Sequence, residues 1–160
     1  MPDKVNIRID FNTSEVNAVL DFTKCYQNKS KDKLDCNHTL YEEFILDQKI
    51  FFVQRVRESL KHYDKEVIHE IDQKLNISKR EKNPEVLAVW LEIMVATQNL
   101  KGVKDQVDGF LKKYGRMKYI IPIYAAYYRF YKKDAQQLFD DLKKYYHPIA
   151  IERIERLLKK

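Results

Sequence analysis

Apolar residues recur every three or four positions along most of the chain, the spacing that gathers them on one face of an α-helix. The opening differs: "VNIRIDF" alternates apolar and polar residues like a short extended segment. Asn12, Thr13 and Ser14 then offer caps for a helix reaching to about Gln27, with Val16, Val19, Leu20, Thr23 and Tyr26 on one face. "NKSKDKLDCNHT" has no period and reads as a loop. "LYEEFILDQKIFFVQRVRESL" holds more apolar residues than one stripe needs, so it is split near Asp47 into a short helix and a longer one facing inward through Ile50, Val53, Val56 and Leu60. Asp64 can cap the next helix, whose inner face is Val67, Ile68, Ile71 and Leu75.

"NISKREKN" reads as a connector, and Asn83-Pro84 as a helix start, a cap residue followed by proline at the first helical position. Val86, Val89, Trp90, Ile93 and Met94 form the core face there. After a turn over Gln98 to Gly102, Val103, Val107, Phe110 and Leu111 face inward, and Gly115 is expected to close that helix in the left-handed conformation. "RMKYIIPIYAAYYRFYKK" predicts a helix kinked or begun at Pro122. Asp134 is the expected cap of a helix burying Ala135, Leu138, Phe139 and Leu142. His147-Pro148 opens the last helix, with Ile151, Ile154, Leu157 and Leu158 inward. About eight or nine helices with short connections predict an all-α fold, stacked in two layers as a bundle or a helical-repeat superhelix.

Composition agrees. Three Gly and four Pro in 160 residues are too few for a β-sandwich, a barrel or a Gly-rich nucleotide-binding fold. The length is that of one domain. The net charge of +6 is spread along the chain and interleaved with acids, as in "KKDAQQLFDDLKKYY". That is the pattern of solvated helix faces, and it argues against a nucleic-acid footprint. The two cysteines, Cys25 and Cys36, fit neither a zinc spacing nor a CxxC redox motif. No apolar stretch approaches a membrane span, and "MPDKVNIRID" lacks the apolar core of a signal peptide. The expected setting is therefore reducing and cytoplasmic, with no membrane.

One stretch comes close to a catalytic motif and misses it. "HEIDQ", His69 to Gln73, approaches the H-E-x-x-H zinc motif, but a glutamine stands where the second histidine must bind the metal. His38, His62, His69 and His147 have no Cys or carboxylate at ligand spacing, and the acidic pairs Glu42-Glu43 and Asp140-Asp141 diverge on adjacent helix positions. No metal site is expected in this chain. Two features stand above background. One is the aromatic density of "YIIPIYAAYYRFY", read chiefly as core packing. The other is "GRMK": Arg116 offers a planar fork suited to a carboxylate, and Lys118 adds a point charge. Cations are disfavoured at a helix start, so the fold alone does not explain this pair.

"YGRMKYIIPIY" followed by "YYHPIAIERI" resembles the C-terminal helical domain of leukotriene A(4) hydrolase and its aminopeptidase B relatives. Gly115, Arg116, Met117, Lys118, Tyr119, Pro122, His147 and Pro148 match that pattern in order, and Trp90-Leu91 matches the family's Trp-Leu helix. The resemblance implies an armadillo-like superhelix over residues 12–160, preceded by residues 1–11 as the linker from a catalytic domain outside this chain. It implies that the catalytic domain holds zinc and is the partner of this one. Arg116 would clamp the carboxylate of a peptide or lipid acid substrate, helped by Lys118, and the chain would be inactive alone. The alternative is a stand-alone, non-catalytic helical scaffold that binds a protein or a polyanion.

Overall fold

The computed structural model describes residues 13–28 and 36–159. The extended lead-in and linker expected over residues 1–11, the cap at Asn12 and most of the loop after Asn28 lie outside the described residues. Among those described, every regular element is helical, as the spacing of apolar residues predicts. The chain divides into two compact units, Met1–Leu75 and Asn76–Lys160.

In the first unit, α1 (Thr13–Gln27) packs against α3 (Leu46–Glu58), with the short α2 (Leu40–Glu43) between them in sequence. Val19, Phe22 and Tyr26 from α1 meet Phe51, Phe52, Val53 and Val56 from α3 in the core. Rings set the packing: Phe22 lies with centroids 5.2 Å from Tyr26, 5.4 Å from Phe44 and 5.2 Å from Phe52. The break before α3 falls at Phe44 and Ile45, earlier than the Asp47 that the sequence suggested, and Gln48 is the reason. Its Oε1 accepts the Ile45 N–H at 2.9 Å, which fixes the first turn, and its Nε2 donates to the Glu15 carbonyl at 3.1 Å. α4 (Lys65–Leu75) buries Val67, Ile68 and Ile71, while Leu75 is only half-buried. Tyr63, just before it, donates to the Thr23 carbonyl at 3.4 Å.

A disulfide joins Cys25, near the end of α1, to Cys36. No local motif announces this pairing, because only the fold brings the two Cα atoms to 5.9 Å. Disulfides persist mainly in oxidising surroundings, so the pairing lends no support to the reducing setting expected from sequence.

The second unit is built around α8 (Met117–Phe130), which packs on α6 (Pro84–Ala96), α9 (Lys132–Leu142) and α10 (Pro148–Leu158). α6 is apolar almost all round: Val86, Ala88, Trp90, Leu91, Ile93, Met94 and Val95 are buried, whereas Val89 is only half-buried. The Asn83 side chain accepts the Glu85 N–H at 2.9 Å, with Pro84 at the first helical position, as predicted. The supposed connector contains a helical turn, α5 (Ile77–Arg80), which buries Ile77 and Ser78. α9 begins at Lys132, so Asp134 lies in its first turn instead of capping it.

The glycine expectation is overturned. α7 (Lys104–Lys113) ends in an extended Tyr114, and no glycine has a positive φ. Left-handed backbone occurs instead at Asn76 and Gln98, with φ of 58° and 63°. Gln98 closes α6: its N–H bonds the Val95 carbonyl at 3.0 Å, and the Asn99 N–H bonds the Met94 carbonyl at 2.8 Å. That is a Schellman ending with glutamine in the usual glycine place.

Candidate carboxylate-binding site

The site forms where α7 ends and α8 begins. Tyr114 and Arg116 both have extended backbone, so the chain leaves one helix straight and enters the next with Arg116 as its N-cap residue. The Arg116 carbonyl accepts from the Tyr119 and Ile120 N–H groups at 2.9 and 3.0 Å, which starts α8. An arginine side chain has no acceptor to cap the remaining N–H groups of that first turn, and no acidic residue stands in the turn. The helix's own first turn therefore supplies no anion to its positive end.

The exposed Arg116 guanidinium lies over the Tyr119 ring, 5.5 Å from its centroid. Tyr119 is buried and belongs to a ring cluster: Phe110 and Tyr114 are 4.5 Å apart, and Tyr114 and Tyr119 are 6.1 Å apart. This platform orients the guanidinium without consuming its donors. Lys113 places its ammonium 5.4 Å above Tyr114.

Lys118 is not free in the same way. Its Nζ meets Glu85 Oε1 at 3.0 Å, and the two side chains are 60% and 36% exposed. With that much water around it, such a pair contributes about 0–1 kcal/mol, so an incoming carboxylate can exchange for Glu85. The structure thus brings both predicted cations to one helix start, and it adds Glu85, which sequence reading missed. Glu85 was visible only as part of a helix start, and nothing local links it to a lysine 33 residues on.

His147, Pro148 and Gly115 have structural places. His147 Nδ1 accepts the Ile149 N–H at 3.1 Å and caps α10. A Cβ added at Gly115 would stand 3.9 Å from Cδ1 of Tyr146, an ordinary contact, so the two halves of the motif adjoin there. Tyr146 in turn donates to the Leu111 carbonyl at 2.7 Å and shares a 2.9 Å hydrogen bond with Tyr124. Burial pushes the Tyr146 hydroxyl up to about 12. In the "HEIDQ" stretch, His69 and Gln73 face solvent while Ile71 is fully buried. Among the described residues no three His, Cys, Asp or Glu side chains gather to hold a metal, so the zinc implied by resemblance has no ligand set in them. No helix of the described residues is long and apolar enough to cross a membrane.

An all-α chain thus places an arginine and a lysine at the start of one helix, with Glu85 on the lysine. The family described as leukotriene A4 hydrolase, C-terminal, matches residues 44–158, well over half of the chain, and the chain belongs to it. Its relatives include leucine aminopeptidase 2 of Ajellomyces capsulatus, 27% identical over 141 residues that cover 88% of this chain and 22% of that protein. Leucine aminopeptidase 2 of Aspergillus fumigatus is 24% identical over 92% of this chain and 24% of its own length. That of Yarrowia lipolytica is 31% identical over 46% of this chain and 11% of its own. The chain thus spans less than a quarter of the length of the first two relatives. No solved structure matches it.

Proposed function

We propose that this chain works as the C-terminal domain of a zinc aminopeptidase, packs on a catalytic domain of the same polypeptide, and holds the carboxylate of the substrate. Arg116 is the main clamp and Lys118 its helper. The observation that carries this reading is the exposed Arg116 guanidinium, held on the Tyr119 ring at a helix start with no acid in its first turn. The names of the relatives support an aminopeptidase context. Metal, general base and attacking water are assigned to the companion domain, because the described residues do not fit a zinc ion. The chain alone is then inactive. The ligand is a carboxylate-ended peptide or lipid acid.

Distant binding contacts accelerate a reaction only by aligning the reacting centre. In the enzyme that carries this domain, Arg116→Ala is therefore expected to cut kcat/KM for tripeptides by about 10- to 100-fold, comparable to losing a charged hydrogen-bond partner. Turnover of amide substrates without a carboxylate should change little. Equal losses on the two substrate types would sink the clamp.

A further inference from the structure

We infer that Glu85 sets the charge selectivity of this site, tuning it to a ligand with a single carboxylate and against one carrying a second negative charge beside it. The inference rests on the carboxylate-clamp reading and assigns it a specificity-determining residue.

Three cations surround the start of α8, but they are not equivalent. Among the described residues neither Arg116 nor Lys113 pairs with a carboxylate; each stands over a tyrosine ring instead. Only Lys118 meets one, Glu85 at 3.0 Å. The Glu85 backbone is itself fixed: it is the second residue of α6, and its N–H is held by Asn83. Glu85 therefore acts as a built-in anion on the Lys118 side. A ligand carboxylate on Arg116 feels little of it, and can draw Lys118 across at small cost because the pair is open to water. A second negative charge arriving on that side meets Glu85 directly, and like charges a few ångströms apart repel appreciably even in water. Selectivity is thus obtained from a repulsive element beside the attractive one.

The test titrates the 160-residue chain with N-acetyl-Ala-Ala-Asn, its C-terminal amide, and the isosteric N-acetyl-Ala-Ala-Asp, which carries a second carboxylate. Amide resonances of the first turn of α8 report binding. The wild type should prefer the asparagine acid over both its amide and the aspartate peptide. Glu85→Gln should change binding of the asparagine peptide less than about twofold and tighten the aspartate peptide about fivefold, as removal of one close charge repulsion implies, with the gap narrowing at high salt. Glu85→Asp keeps the charge and should keep the wild-type ratio. An unchanged ratio between the two acids in Glu85→Gln, or the same gain in Glu85→Asp, overturns the role of Glu85 while leaving the clamp standing. If the wild type does not separate the acid from its amide, the clamp itself falls, and this inference with it.

Discussion

The two compact units solve the same problem with different means. The first fills its core with phenylalanine and tyrosine rings packed edge to face, and adds a covalent link at the end of α1. It also leaves Leu40, Ile45 and Leu46 well exposed around the α2–α3 break. The second wraps an almost wholly apolar α6 and seals it with buried hydroxyls, in which Tyr124, Tyr146 and the Leu111 carbonyl form one chain of hydrogen bonds. A parallel link runs from Tyr127 to Asp108 at 3.2 Å, with Lys104 on the other oxygen of the same carboxylate at 2.6 Å. Rings pack with latitude, whereas hydroxyl networks fix geometry. The residues proposed as a clamp lie in the second unit, where Tyr146 anchors the network and its ring stands 3.9 Å from the place a Cβ on Gly115, next to Arg116, would take.

The sharpest way to break the contrast is at Trp90, fully buried in α6. Trp90→Ala should cost about 3–5 kcal/mol, the usual penalty for emptying a core aromatic site. Urea unfolding followed by circular dichroism should show it, with hydrogen exchange accelerating most in α6 and α8. Next, replacing Cys25 and Cys36 together by serine opens a closed loop with a sequence separation of 11 and should cost about 2–3 kcal/mol. The faster exchange should appear in α1 and α3, and an unchanged melting point would show that the rings suffice. Tyr146→Phe keeps the ring and removes the hydroxyl, leaving the Leu111 carbonyl and Tyr124 short of a buried partner; about 1–3 kcal/mol is expected.

The last contrast is alkaline. Burial raises Tyr63 in the first unit to about 12, and burial together with Asp108 does the same for Tyr127 in the second, alongside Tyr146. Below pH 10, the ordinary tyrosine value, these hydroxyls are neutral in both folded and unfolded chains and their contribution is fully present. Between about 10 and 12 the unfolded chain ionises first, so stability falls as pH rises. A tyrosinate absorbance titration should lag behind that of free tyrosine and end in a loss of helicity. Early ionisation of all tyrosines near the ordinary value would contradict the buried network.

Periodic apolar residues made the helices legible, because a buried face imposes its spacing locally. Local cap chemistry also read correctly at Asn83-Pro84 and His147-Pro148. What escaped depends on partners distant in sequence. The α2–α3 break follows a glutamine that also bonds α1, the disulfide follows chain folding, and Glu85 reaches Lys118 only once α6 lies beside α8. Gly115 misled because glycine permits a left-handed ending without requiring it. Arg116 and Lys118 stood out because cations are disfavoured at a helix start, and the resemblance of their motif is what suggested a target for them.

The left-handed glutamine that ends α6 has a practical side. An L-residue held in that conformation carries a strain of about 1–2 kcal/mol that glycine would not. Gln98→Gly lies at an exposed turn, apart from the cations and the buried hydroxyls, so it offers a way to relieve strain in the fold without touching either. Damaging variants of Arg116, Lys118 or the core could then be compared in a background that tolerates them.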